Sequence, residues 1–281
     1  MVIPPIALKV NLDSDVDRAT SILVPDGRPG LSRNIWFAEA RAGIAGSAVP
    51  LLSSRIIMRM RSGDRDDVTV KLRPCVPAEL PTRWGEAFCN EDASYRMESE
   101  WCGDHRVRSA SVISHRAPGS LTPLMDDRTD PVALLDATQR QFVVACTSCG
   151  VPIDHLVTLG PIASRTWTDV SVDGAPVAVE RWTVGELDLL EVSMHLRPLR
   201  DEPADAFELR AAQHLLLLER SLGDRGLPIV TISKTERVLT TFRGRAHDST
   251  VDDSVRDDGV QNDGVRNDTG QPRFDMGRST T

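Results

Sequence analysis

The sequence predicts an α+β fold: an antiparallel sheet of roughly eight strands, closed or nearly closed on itself, with helices on its outside. Three observations lead there. Residues 56–61 and 68–73 are two runs of apolar and basic residues around a polar turn with Gly63, the pattern of a β-hairpin. Asp173-Gly174 joins two further strand-like runs, 164–172 and 177–184, as a second hairpin. Between such runs lie two segments of helical period, 131–149 and 204–223, the second carrying the strongest core run, Leu215 to Leu218.

In chain order, residues 6–12 alternate weakly and read as a first strand carrying Lys9. Ser14 followed by two early carboxylates opens a short helix to about Leu23, and residues 25–30 are a turn cluster. Residues 33–39 form the next strand, and the Ala/Gly-rich stretch to Ser54 is helix or loop. After the 56–73 hairpin, residues 76–92 are irregular, with Pro77 and Pro81. Residues 95–101 alternate and put Arg96, Glu98 and Glu100 on one face, and 106–113 is their antiparallel partner, with Ser109 and Ser111 aligned. Residues 187–196 add a strand with Glu191 inside an apolar run, which favours an inward role for that carboxylate. A last helix covers 231–242, capped by Thr231 or Ser233.

Alternation in the 56–73 hairpin gives it two unlike faces. Arg59 and Arg61 share one face, as do Lys71 and Arg73, while Met58, Met60, Val70 and Leu72 take the other. On an open sheet the basic face is solvated. In a closed barrel it becomes four cations lining a cavity, a cluster that needs an anion, and polyphosphate is the obvious one. Of 33 basic residues only Lys9, Lys71 and Lys234 are lysines. These positions mark where a compact point charge serves better than a planar fork.

A chain of 281 residues holds one large domain or two small ones. The expected division is a folded domain over 1–245 and an acidic, disordered tail over 246–281, a polar repeat too poor in apolar anchors to order itself. The tail, with eight Asp and four Arg, carries −4 of the net charge of −8, and the −4 left on the folded part argues against an extended nucleic-acid surface but leaves room for a local basic pocket. No apolar run approaches the ~20 residues of a membrane helix. The start, Met-Val-Ile-Pro-Pro, lacks the pattern of a secretory signal, so a cytoplasmic location is expected. The five cysteines fit no disulfide framework, and Cys146-Thr-Ser-Cys149 is a lone CxxC without a second pair for zinc, so buried or incidental thiols are expected.

The motifs in this order resemble the CYTH domain, the triphosphate tunnel metalloenzyme family of thiamine triphosphatases, inorganic triphosphatases and class IV adenylate cyclases. The resemblance rests on the first strand with its lysine, Arg33-x-x-Trp-Phe, Arg59-x-Arg61, Thr-Val-Lys71-Leu-Arg73, the acidic strand, Arg165-x-Trp167, Leu190-Glu191-Val-Ser193 and Ser233-Lys234-Thr. It spans residues 6 to about 243. It implies an eight-stranded antiparallel tunnel whose basic side chains grip a triphosphate or polyphosphate-bearing small molecule. Lys9, Arg59, Arg61, Lys71, Arg73, Arg165 and Lys234 are then phosphate contacts. Glu98, Glu100, Glu180 and Glu191 are the candidate ligands for Mg²⁺ or Mn²⁺, and the activity implied is that of a metal-dependent triphosphatase.

One departure stands out. The family's first strand carries Glu-x-Glu-x-Lys, and here that register reads Pro5-Ile-Ala7-Leu-Lys9. The lysine is present and both carboxylates are replaced by residues without a side-chain oxygen, which a hard divalent cation requires. Two readings therefore stand side by side: a phosphohydrolase with altered metal ligation, and a tunnel that binds polyphosphate or a nucleotide without turning it over. Glu98 and Glu100 fit either metal ligation or an internal ion network with the arginines and lysines. Trp36, Trp167 and Trp182 are expected in the core.

Overall fold

A computed structural model describes residues 3–242 apart from 41–48, 92, 126–128, 148–152 and 154. The expected tail at 246–281 and Cys149 lie outside the described residues. Ten strands form the sheet: β1 (Ile6–Leu12), β2 (Leu31–Ala40), β3 (Ile56–Ser62), β4 (Asp66–Leu72), β5 (Phe88–Cys89), β6 (Ala93–Cys102), β7 (His105–Arg116), β8 (Leu156–Val172), β9 (Ala175–Val184) and β10 (Leu187–Leu196). Their order is β1-β10-β9-β8-β2-β3-β4-β7-β6-β5, and β1 also pairs with β6. That last pairing closes a ring of nine strands, with β5 outside it.

The ring therefore has nine strands rather than the expected eight, and it is not wholly antiparallel. The reason is parity. Strands that alternate up and down close into a ring only if their number is even, so a ring of nine must contain a parallel pair. Here it is β1 with β6, over Ile6–Ser99, Ala7–Glu100 and Leu8–Trp101. All other ring neighbours are antiparallel.

Alternation sorts each strand's residues between the tunnel and the outer surface. The even residues of β1, Ile6, Leu8, Val10 and Leu12, pack outward in a core with α1 (Val16–Leu23) and with Phe207, Ala211, Leu215, Leu218 and Leu222 of the 21-residue helix after β10. The outer face of the β3–β4 hairpin, Met58, Met60, Val68, Val70 and Leu72, joins a second core with Trp84, Tyr95 and Phe142. Trp84 anchors it, with ring centroids 5.0 Å from Phe142 and 5.1 Å from Tyr95. Three helices complete the outside: α2 (Pro50–Ser53), α3 (Ala137–Cys146) and α4 (Ala204–Asp224).

The segment expected as one helix over 131–149 is broken. A 3₁₀ turn, Pro131–Leu134, precedes α3, because Asp136 N-caps the helix in a capping box with Gln139 and so fixes its start. Strand β8 is far longer than the expected 164–172, starting at Leu156 and running through Gly160-Pro161. Pro161 pairs with nothing in the β2 register, which skips from Ile35 to Phe37 at this point. The β8–β9 turn is as the sequence implies: Asp173 and Gly174 both have positive φ, 49° and 83°.

A third core lies inside the ring. Ile35, Phe37 and Ile57 from β2 and β3, Ile162 from β8, Trp182 and Leu189 meet Val238 and Leu239 of the terminal helix α5, helical over 234–242. Ser233 caps α5, its hydroxyl accepting from the Glu236 amide at 3.3 Å. One end of the tunnel is thus filled by apolar side chains and stoppered by α5. No helix among the described residues is long and apolar enough to cross a membrane.

Candidate functional site

Beyond this apolar plug the tunnel interior turns polar. A cavity of about 80 Å³ opens between Lys9 of β1, Arg59 of β3, Lys71 and Arg73 at the end of β4, Glu191 of β10 and Lys234 of α5. Each strand residue arrives there by parity. Lys9 is an odd residue of β1 whose even neighbours are outer core, and Arg59 alternates with Met58 and Met60. Lys71 alternates with Val70 and Leu72. Glu180 and Glu191 are direct cross-strand partners in the β9–β10 register, so their carboxylates start side by side.

The charges form a chain of alternating sign. Glu180 accepts from Lys234 at 2.6 Å, and Lys234 lies 3.8 Å from Glu191. Glu191 lies 3.8 Å from Lys9, which donates to Glu100 at 2.8 Å. Lys71 donates to Glu100 at 2.7 Å and to Glu98 at 3.1 Å. Every lysine of the sequence is in this chain. Ser109 on β7 donates to Glu100 at 3.2 Å, and Ser164 on β8 to Glu180 at 3.0 Å, so the two inner hydroxyls add to the carboxylates' partners.

Burial alone would push these carboxyls up and the ammoniums down. Partners reverse it. Lys234 holds the Glu180 carboxyl down at about 2, against its burial. Lys9 and Lys71, with Arg73, hold Glu100 well below the ordinary range, and Lys71 does the same for Glu98 to a smaller extent. Lys9 loses solvent but is kept raised by Glu191 and Glu100. For Lys9, Glu98, Glu100 and Glu180 the opposite charges alongside thus outweigh the cost of burial.

Arg59 differs. Burial lowers its guanidinium to about 10, and the neighbouring Arg61 adds to the effect. Its Nε is buried without a hydrogen-bond partner. The Nε of Arg73 is likewise buried and unbonded, 3.7 Å from Glu100. A desolvated cation with an unspent donor facing a cavity is a costly arrangement unless an anion completes it.

The other expected phosphate contacts divide. Arg61 points inward but is spent on Asp67, 2.7 Å away across the hairpin. Asp67, which also accepts from Thr69 at 3.0 Å, is a buried carboxylate inside β4 rather than part of the expected polar turn. A tighter hairpin register, pairing Arg61 with Asp67, would have revealed it. Arg165 does not join this group: it lies on the outer face of β8, exposed, its guanidinium 5.2 Å from the Trp167 ring centroid. The inner face of β8 belongs to Ile162 and Ser164 instead. Trp182 is an unforeseen part of the site, its ring centroid 4.4 Å from the Lys234 ammonium.

The carboxylates were also the candidate metal ligands, and their surroundings do not suit that role. Glu98, Glu100 and Glu180 are each hydrogen-bonded to a lysine ammonium, and Glu191 lies between two. Among the described residues no group of three or more His, Cys, Asp or Glu side chains is arranged to hold a metal ion. Ala7, at the register where the resemblance would put a carboxylate, is buried against Glu100 and His195 with no oxygen to offer. A divalent cation would have to displace ammoniums that already neutralise its ligands.

The interior of this closed barrel is thus lined by alternating lysine and glutamate, with two unbonded guanidinium Nε donors among them. Among solved structures, the chain is similar to a Hippeastrum protein described as a candidate adenylyl cyclase with a dominant triphosphatase activity. The identity is 17%, covering 86% of this chain and 96% of that one, with a TM-score of 0.49. It is also similar to a candidate adenylate cyclase from Bacillus halodurans, at 12% identity over 84% of this chain and 98% of that one, TM-score 0.49. A third likeness is to the PH1819 protein of Pyrococcus horikoshii OT3, at 7% identity over 84% and 99%, TM-score 0.38. No family model matches the chain, and no curated protein does. The fold class itself follows from the strand pairing.

Proposed function

We propose that the chain binds the phosphate groups of a small molecule, of the triphosphate or polyphosphate class, inside its tunnel, and that it does so without a resident metal ion. The observation that carries this reading is Arg59: half-buried, desolvated and with its Nε buried and unbonded beside the cavity. Phosphate oxygens answer that need, since several bonds from a guanidinium can converge on them. Lys9, Lys71, Arg73 and Lys234 supply the rest of the cationic wall. The three lysines act as point charges that the glutamates hold in place until phosphate oxygens compete for them.

The metal-dependent triphosphatase reading requires Glu98, Glu100, Glu180 and Glu191 to leave their lysines for Mg²⁺ or Mn²⁺. Their ion pairs favour the binding module over the hydrolase. Isothermal titration with tripolyphosphate tests the choice, in Mg²⁺ and in chelator. Equal affinity in both supports the proposal; binding seen only with the divalent ion, or none at all, overturns it.

A further inference from the structure

Helix α4 has one face in the outer core and another that nothing among the described residues covers. Phe207, Ala211, Leu215, Leu218 and Leu222 are buried. On the opposite side Leu209 is 62% exposed, Leu216 66% and Leu217 62%. Leu209, Gln213, Leu216 and Arg220 recur at intervals of four, three and four residues, which is a straight seam along a helix. The seam begins beside Asp205 and ends at Arg220.

The order of charges along this seam makes it complementary to itself. Running antiparallel to a second copy, with the crossing between Ala212 and Gln213, Leu209 meets the partner's Leu216, and Leu216 the partner's Leu209. The same register sets Asp205 opposite the partner's Arg220 at both ends. Among the described residues, Arg220 has a single ion pair, an exposed 3.8 Å contact with Asp224, a kind worth little in water.

We infer that two copies of the chain pair through the outer face of α4 as a two-fold antiparallel helix dimer, with Leu209 and Leu216 at the centre and the Asp205–Arg220 pairs at the rim. An isologous contact of this kind uses one patch twice, so a single seam suffices. It leaves the tunnel untouched, because α4 packs on the outside of β1.

Sedimentation equilibrium on the full chain, over a concentration series, is the test. A reversible monomer–dimer equilibrium is expected, and Leu216→Arg should shift it to monomer. Asp205→Arg alone and Arg220→Asp alone should each weaken the dimer by about tenfold. The two together should restore it, because the register then pairs the swapped charges. A wild-type chain that is monomeric throughout overturns the inference, as does a dimer indifferent to Leu216→Arg or not rescued by the double swap. If the full chain is monomeric and deleting 246–281 produces the dimer, the tail is the natural occupant of the seam and the inference also fails. Dimerisation only with a protein of different sequence overturns it equally.

Discussion

The Lys234 ammonium lies 2.6 Å from a carboxylate oxygen of Glu180, and it comes from the helix that stoppers the tunnel rather than from the barrel wall. Only 4% of the lysine side chain is exposed. Closing the tunnel and neutralising Glu180 are therefore one event: α5 cannot leave without stranding a buried charge. Lys234→Met should cost about 3 kcal/mol, the low end for breaking a buried pair, because Glu180 keeps some contact with solvent. Lys234→Met with Glu180→Gln should recover most of it. Urea unfolding of the two single variants and the double measures the coupling, and additive losses would show that the pair is energetically idle.

The same pair sets a pH dependence. The Glu180 carboxyl is depressed from 4.5 to about 2 in the folded chain, chiefly by Lys234 working against burial. A depressed acid binds fewer protons folded than unfolded, so its stabilisation is complete above the unfolded value and lost as pH falls through the folded one. Stability should therefore decline between about pH 4.5 and 2. Glu98 and Glu100 shift in the same direction and add to the slope. Glu180→Gln should flatten part of it, and acid titrations of unfolding free energy that superimpose for the two proteins would contradict the assignment.

Arg59 and Arg165 make a matched comparison. Arg59→Ala removes the unbonded interior guanidinium and should weaken tripolyphosphate binding by roughly 1.5–3 kcal/mol, the worth of a charge-assisted bond. Folding stability should hold or rise, since an uncompensated cation is lost. Arg165→Ala, on the outer surface over Trp167, should leave binding unchanged. Equal losses from both variants would mean that the measured affinity is nonspecific surface attraction.

Much of this was legible in the residues. Lysine is rare here, and the positions that keep it, 9, 71 and 234, all enter the tunnel, where a rotatable ammonium can serve two carboxylates at once. Alternation placed the β3–β4 hairpin correctly because a regular strand shows its outer face by its apolar residues. Strand β8 was harder. Parity binds Arg165 and Trp167 to one face, but it does not say which, and both lie outside, where Trp167 joins the helix-covered core. The strand count hinged on closure between β1 and β6, which is remote in sequence and spans three residue pairs. Nothing local in 234–242 announces that Val238 and Leu239 will enter a barrel.

Deleting residues 246–281, the expected tail, should leave the melting temperature unchanged. The segment's polar repeat offers little apolar surface to bury. A clear drop in differential scanning calorimetry would show that it packs on the domain.

The last prediction concerns the first strand, where Pro5 and Ala7 stand in place of two carboxylates. Ala7 is buried beside Glu100, and Glu100 is already shared between Lys9 and Lys71. Adding Pro5→Glu and Ala7→Glu puts two more acids against a carboxylate whose two ammonium partners, Lys9 and Lys71, are already engaged. Without metal the double variant should be clearly less stable than wild type, from like-charge repulsion and desolvation. Divalent cations should repair that loss, because the new oxygens are the hard ligands the natural strand lacks. The expected signature is a melting temperature that rises with Mg²⁺ or Mn²⁺ in the double variant and ignores them in wild type. Phosphate release from tripolyphosphate is measured alongside. Brisk, chelator-sensitive hydrolysis by the unmodified chain would reverse the conclusion and oblige Glu98, Glu100, Glu180 and Glu191 to trade their lysines for the metal.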